Sequence, residues 1–233
     1  MDKKLFAKGL KDGIPIAMGY LAVAFTIGIA AGNIGMNAVQ SFLMSLGMVA
    51  SAGEYAAVIL IGSAAGVLEM IATTFIINLR YFLMSCSLSQ KLSKDEPMWK
   101  RMLLAWFVTD ELFGISSAVE GHLNPVYTYG AALVSVSGWC LGTVLGVIVG
   151  DVLPMRLSSA MSVALYGMFL AIIIPPARKS RFMAVLVIVS MALSYVFSKA
   201  PVLSDISEGF RIIILTVLIA GAAAFIRPAG EEA

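Results

Sequence analysis

Three short stretches carry ionisable side chains through apolar surroundings: Asn78-Leu79-Arg80-Tyr81, Thr109-Asp110-Glu111 and Ala52-Gly53-Glu54-Tyr55. A charge in the middle of a membrane segment costs about 2.5–3.5 kcal/mol on insertion scales, so it marks either a function or a structural pair. Arg80 falls about ten residues from one end of its apolar run, about 15 Å deep at the rise of an α-helix. Asp110 falls at nearly the same depth, about 13–14 Å, in the next run. Neighbouring runs are antiparallel, so an Arg80–Asp110 ion pair is expected, because a paired buried charge is far cheaper than a lone one. Asp110 and Glu111 are consecutive and point about 100° apart on a helix. One carboxyl is therefore left to take a proton or the ammonium group of a substrate. The cluster Asn78, Arg80, Thr109, Asp110 and Glu111 either lines a polar cavity or clamps two helices together. Glu54 stands where a helix begins, and the free N–H groups there favour an anion such as a carboxylate; the plainer reading is that Glu54 caps that helix. Its neighbours Ser51, Ala52, Gly53, Tyr55 and Ala56 would give a small, mostly apolar lining.

Other reactive residues point away from catalysis. The single histidine, His122, precedes Asn124-Pro125 and is expected in an outer loop. One histidine supplies neither a Ser-His pair nor a zinc-binding pair, so no enzyme is expected. Cys86 and Cys140 fit no metal spacing and read as buried apolar-like residues, so neither metal nor cofactor is expected. Glu69 falls near a helix end and is expected to be wetted. Tyr127, Tyr129 and Trp139 read as interface belt and packing.

The elements that must position these groups are helices in lipid. Of 233 residues, 60% are hydrophobic and 13% charged, with mean hydropathy +0.93. A soluble domain is about 45–50% apolar and about 25% charged, so this chain needs lipid as its solvent. The net charge of +2, with no basic patch, excludes nucleic acid as a partner. Six apolar runs, at 13–32, 69–90, 101–120, 129–150, 181–198 and 206–226, are long enough to span a bilayer. Segments 38–67 and 157–175 read as pairs of short helices around a break. The basic N-terminus leads into an uncleaved first span rather than a removed signal.

Gly28-x-x-x-Gly32 recurs as Gly146-x-x-x-Gly150, which suggests a two-fold repeat of the kind common in transporters. With both broken segments re-entrant, the clusters Lys3/Lys4/Lys8/Lys11, Lys91/Lys94/Lys100/Arg101 and Arg178/Lys179/Arg181 all fall on the cytoplasmic side. The expected fold is thus an all-α polytopic membrane protein in a single domain, 1–233. It has about six full spans plus two re-entrant segments, and its half-repeats, about 13–120 and 129–226, form an inverted repeat. Seven or eight full spans is the alternative.

In order and spacing these motifs resemble the AzlC family, the large subunits of branched-chain amino-acid exporters. The family's Ala-Gln-Phe-Ala corresponds to Gly53-Glu54-Tyr55-Ala56, its Asn-Leu-Arg-His to Asn78-Leu79-Arg80-Tyr81, and its Thr-Asp-Glu to Thr109-Asp110-Glu111. Asn124-Pro125 and then Trp139, Gly142, Gly146 and Gly150 complete the series. The resemblance implies proton-driven export of valine, leucine, isoleucine or methionine across a bacterial or archaeal cytoplasmic membrane. It also implies a small membrane partner resembling AzlD. By that likeness the substrate or proton pathway comprises Glu54, Tyr55, Asn78, Arg80, Tyr81, Thr109, Asp110 and Glu111. Glu54 and Tyr81 depart from the family's glutamine and histidine. A channel or a non-transporting membrane scaffold is the competing class; the single mid-depth polar cluster, rather than a continuous polar path, weighs against a channel.

Overall fold

Gly9, Gly13 and Gly28 recur along one apolar stretch, and Gly130, Gly138, Gly142 and Gly146 along another. Small residues let helix backbones approach closely, which is how helices associate where lipid removes the hydrophobic drive. In the computed structural model, which describes residues 2–150, 152, 170, 173–174, 177–178, 180–200, 206 and 208–226, these stretches form α1 (Asp2–Asn33) and α7 (Pro125–Gly150). They meet backbone to backbone. A Cβ built on Gly28 would lie 2.1 Å from the Thr143 carbonyl oxygen and 2.9 Å from Gly146 Cα. One built on Gly146 would lie 2.1 Å from the Phe25 carbonyl oxygen. Gly9 opposes Tyr127, Gly13 opposes Ala131, Ala24 opposes Gly142 and Gly28 opposes Gly146. Residue numbers rise together along the seam, so the two helices run parallel, in the same register as the sequence echo.

Between them lie α2 (Ala38–Met48), α3 (Ser51–Gly62), α4 (Val67–Lys91), α5 (Met98–Trp106) and α6 (Asp110–Ser117); α8 (Arg181–Lys199) and α9 (Glu208–Ile226) follow. Among the described residues there is no strand, and the protein is an all-α membrane protein. Four helices, α1, α4, α7 and α8, are long and apolar enough to cross a membrane. Two compact units are distinguishable, Met1–Val58 with Ile77–Leu165 and Ile59–Ile76 with Tyr166–Ala233. The first holds the α1–α7 seam and every candidate site residue; in the second, α8 packs on α9.

Segment 38–67 divides at Val49-Ala50, as its small-residue stretch suggests. Asn37 and Gln40 form a reciprocal capping box at the start of α2, and Val49 ends it in the left-handed region at φ 42°. Segment 157–175 lies outside the described residues, but for 170 and 173–174.

Run 101–120 is not one span. It breaks at Phe107-Val108-Thr109 into α5 and α6. The ends of this segment lie together at the C-terminal end of α4. At its start, Arg101 donates to the Ser89 and Ser93 carbonyls. At its end, Lys91 Nζ donates to the Ser117 and Val119 carbonyls, and Leu123 N–H to the Lys91 carbonyl. The segment therefore enters and turns back. Without that crossing α7 runs opposite to the direction expected of it, which is why it lies parallel to α1. The lost crossing also moves His122, which is exposed, from the expected outer side to the end that carries Lys91, Lys94, Lys100 and Arg101. Lys8, over the Tyr127 ring, joins the N-terminal basic cluster to the same end.

Two results are expected. Gly28→Ala forces backbone apart along the seam, and overpacking of this kind costs about 1–3 kcal/mol. Gly19, with nothing within 4 Å, should instead gain about 0.5–1 kcal/mol on mutation to Ala, the usual mid-helix difference. Thermal unfolding of the two purified variants in detergent checks the contrast. Second, in a background lacking Cys86 and Cys140, cysteines placed at Lys94 and His122 should react with an impermeant maleimide from the same side of the membrane. Labelling from opposite sides would restore 101–120 as a full span.

Candidate functional site

The breaks in α2–α3 and α5–α6 come together beside the middle of α7. Val49, from the first, and Phe107, from the second, pack with Val136 and Cys140. Around this junction the polar groups fall into two clusters.

The first cluster is the charged one. Arg80 Nη1 lies 3.1 Å from Asp110 Oδ2, so the expected ion pair forms, with the side chains 37% and 30% exposed. Arg80 Nη2 donates to Tyr81 Oη at 3.0 Å, and the guanidinium also lies over that ring, 4.9 Å from its centre. Asp110 and Glu111 open α6 rather than sitting mid-span. Their charges there oppose the positive end of the helix dipole. Thr109 is the N-cap, its hydroxyl accepting from Leu112 N–H at 3.3 Å. Glu111, expected to be the free carboxyl, has a partner: Tyr20 Oη lies 2.5 Å from its Oε2 and 2.6 Å from Thr109 Oγ1. A phenol has one hydrogen. The arrangement that satisfies both contacts has Thr109 donating to Tyr20 and Tyr20 to Glu111. Asn78 lies against Gly53, where a Cβ would come within 2.7 Å of its amide; its Oδ1 is buried without a hydrogen-bond partner, as is Arg80 Nε.

The second cluster is enclosed. Glu54, in the first turn of α3, is fully buried. One carboxylate oxygen lies 2.5 Å from Ser45 Oγ and the other accepts from Trp139 Nε1–H at 2.7 Å. Ser45 Oγ also lies 2.7 Å from Thr143 Oγ1, which donates to the Trp139 carbonyl at 3.2 Å. Glu54 thus ties the α2–α3 break to α7 and does not face an open cavity. Tyr55, next to it, is half-buried. Tyr20 links the clusters: its ring meets Trp139 edge to face, centroids 5.3 Å apart.

Several placements differ from expectation. Trp139 is no interface residue, being 2% exposed, because its indole N–H is committed to Glu54. Cys86 is exposed and Cys140 buried. Glu69, expected to be wetted, is buried in the first turn of α4. Tyr20, Ser45 and Thr143 are additions; hydroxyls inside apolar runs carry no sequence signal of their own. The break before α6 does carry one. Thr109 followed by two acids is an N-cap with a favourable first turn. Among the described residues no cluster of His, Cys, Asp and Glu can hold a metal ion.

The family model described as AzlC protein matches residues 15–153. An uncharacterized membrane protein of Archaeoglobus fulgidus is 34% identical over 173 residues, 73% of this chain and 75% of the relative. Inner membrane protein YgaZ of Escherichia coli is 27% identical over 150 residues, 63% of this chain and 61% of the relative. An uncharacterized membrane protein of Helicobacter pylori is 26% identical over 153 residues, 63% of this chain and 66% of the relative. No solved structure matches. The family match takes in the α1–α7 seam from residue 15 onward, both breaks and all the residues of both clusters.

Removing either partner of the Arg80–Asp110 pair strands a charge, at a cost of up to about 2.5–3.5 kcal/mol inside a bilayer, less here because both side chains are partly exposed. Arg80→Ala and Asp110→Ala should each lower monodisperse yield after detergent extraction. Arg80→Gln combined with Asp110→Asn should recover much of it. A double variant no better than either single would mean that the pair contributes nothing to folding.

Proposed function

The chain belongs to the AzlC family, and we propose that it is a secondary transporter that exports branched-chain or similar small apolar amino acids from the cell. Its coupling ion is the proton, and it works as the large subunit of a permease completed by a small AzlD-like membrane protein. The supporting observation is the charged cluster at the junction of two broken helices. A guanidinium, two carboxylates and two phenols are held together there among apolar helices, where such groups are costly; one ion pair accounts for two of them, and the remaining polar groups are what a polar ligand would use.

The chemistry suits a zwitterion. Arg80 Nε is a buried donor without a partner and matches a carboxylate. Asp110 and Glu111 match an ammonium group. A bound amino acid would compete with Asp110 for the guanidinium, so binding and rearrangement of the pair are linked. Beside the cluster, Gly53 lies against Asn78 and Val108 directly precedes Thr109, small or apolar neighbours that suit a small apolar side chain rather than a sugar or phosphate. Glu111 is exposed at one side of the cluster and held by the hydroxyl of Tyr20, which makes it the carboxylate we assign to the coupling step.

Counterflow in proteoliposomes tests the reading. Vesicles loaded with unlabelled leucine and carrying the chain with its small partner should accumulate external labelled leucine, saturably. The chain alone should do so weakly or not at all. Glu111→Gln should keep counterflow but lose acceleration by a pH gradient. Absence of counterflow with the partner present, or flux that never saturates, would refute a carrier for these amino acids.

A further inference from the structure

Glu54 is the most enclosed acid among the described residues, at 0% exposure, and no ion pair there involves it. Its surroundings fix where hydrogens must be. Three oxygen–oxygen contacts run in series: Glu54 Oε1 to Ser45 Oγ at 2.5 Å, Ser45 Oγ to Thr143 Oγ1 at 2.7 Å, and Thr143 Oγ1 to the Trp139 carbonyl at 3.2 Å. A hydroxyl carries one hydrogen and a carbonyl none. Ser45 and Thr143 together supply two hydrogens for three contacts. The carbonyl can only accept, so Thr143 donates to it. Ser45 must then donate to Thr143, and the hydrogen between Ser45 and Glu54 has to come from the carboxyl. The other carboxyl oxygen accepts from Trp139 Nε1–H, as the carbonyl oxygen of a neutral acid does. An ionised Glu54 would take the Ser45 hydrogen and leave one contact in the chain without any.

We infer that Glu54 is a resident proton site, a neutral carboxylic acid whose O–H donates to Ser45 and closes a hydrogen-bond latch from the α2–α3 break to α7. The surroundings agree with this state. An isolated buried carboxylate is far costlier than its neutral acid. The titratable groups facing it are the Cys140 thiol on α7 and, across the Trp139 ring, Tyr20 on α1, whose hydroxyl bonds Glu111. None of these is a cation. The site is distinct from the Arg80–Asp110 ion pair. Loss of the Glu54 proton would turn the Ser45 hydroxyl back onto the carboxylate and leave the Ser45–Thr143 contact without a hydrogen, so that Trp139 Nε1–H alone carries the hydrogen-bond tie from Glu54 to α7. The inference rests on the transport reading only in giving a mid-membrane proton a use.

Infrared spectroscopy of the full chain in lipid tests it directly. The wild type minus Glu54→Gln difference spectrum at neutral pH is expected to contain the C=O stretch of a protonated carboxyl, shifted in D2O and lost in the variant. Ser45→Ala, which removes the acceptor, should move that band to higher frequency. A difference spectrum holding only carboxylate stretches, or a band that Ser45→Ala leaves in place, would overturn the assignment. Should Glu54→Gln fold poorly, the band shift in Ser45→Ala alone decides. The spectra need no flux, so a chain that fails in counterflow yet shows the band refutes the transport reading and leaves the proton site standing.

Discussion

The close approach of α1 and α7 is the constraint on which the rest of the first unit depends. Lipid offers these helices no hydrophobic reason to associate, so dispersion between closely packed backbones has to hold them. Glycines on both helices make that possible, and they fix the register as well as the distance. With Gly28 on Gly146 and Gly13 on Ala131, Tyr20 and Trp139 fall beside each other, ring edge to ring face. A slip of one residue would rotate these aromatics apart. It would also remove the hydroxyl from Thr109 and Glu111 and the indole from Glu54. The polar chemistry is thus positioned by residues that have no side chain.

Breaking two helices inside a bilayer exposes backbone groups that lipid cannot satisfy, each at a cost of several kcal/mol if left bare. Local partners meet part of that demand. Thr109 caps Leu112 N–H, and Val49 N–H returns to the Ser45 carbonyl. Val49 holds a left-handed conformation, which costs a non-glycine residue about 1–2 kcal/mol. Its side chain is nonetheless buried against Val136 and Cys140, contacts that a glycine would lack. The breaks are consequently tied to the seam. Each packs on α7, and Val49 and Phe107 meet there, so neither break has a defined place without α7.

Much of this was legible where physics leaves few choices. Charges in lipid must pair, so Arg80 and Asp110 could be matched from depth alone. The glycine echo at one offset was visible and read as a repeat; that Gly28 and Gly146 touch emerged only with the helices in place. The topology was harder, because parity accumulates: run 101–120 is long enough to cross and largely apolar, and only Thr109-Asp110-Glu111 hints that a helix restarts there. Reading it as a full crossing inverted α7 and sent His122 to the wrong side. Trp139 was misplaced because an indole suits an interface belt and a buried acid equally well; what separates the two is a partner 85 positions away. Tyr20, Ser45 and Thr143 were invisible for a related reason. A hydroxyl in an apolar run acquires meaning only from what the fold sets opposite it.

The three acids at the junction differ by what surrounds them rather than by type. Asp110 faces a guanidinium and can remain charged for as long as that partner stays. Glu111 meets a phenol and an exposed edge, so its charge is supported partly by Tyr20 and partly by whatever lies outside. Glu54 meets hydroxyls, an indole and no cation, and the hydrogen count leaves it neutral. Tyr20 and Trp139 stand between the second and third of these environments and touch both. A ligand that draws Arg80 away from Asp110 would place an unpaired carboxylate next to Glu111. The phenol holding Glu111 would then have to respond, and its ring rests on the indole that holds Glu54. Charge at the open cluster and the proton at the closed one therefore share a single mechanical link, one aromatic contact wide, whose alignment is set by glycines on the helices behind it.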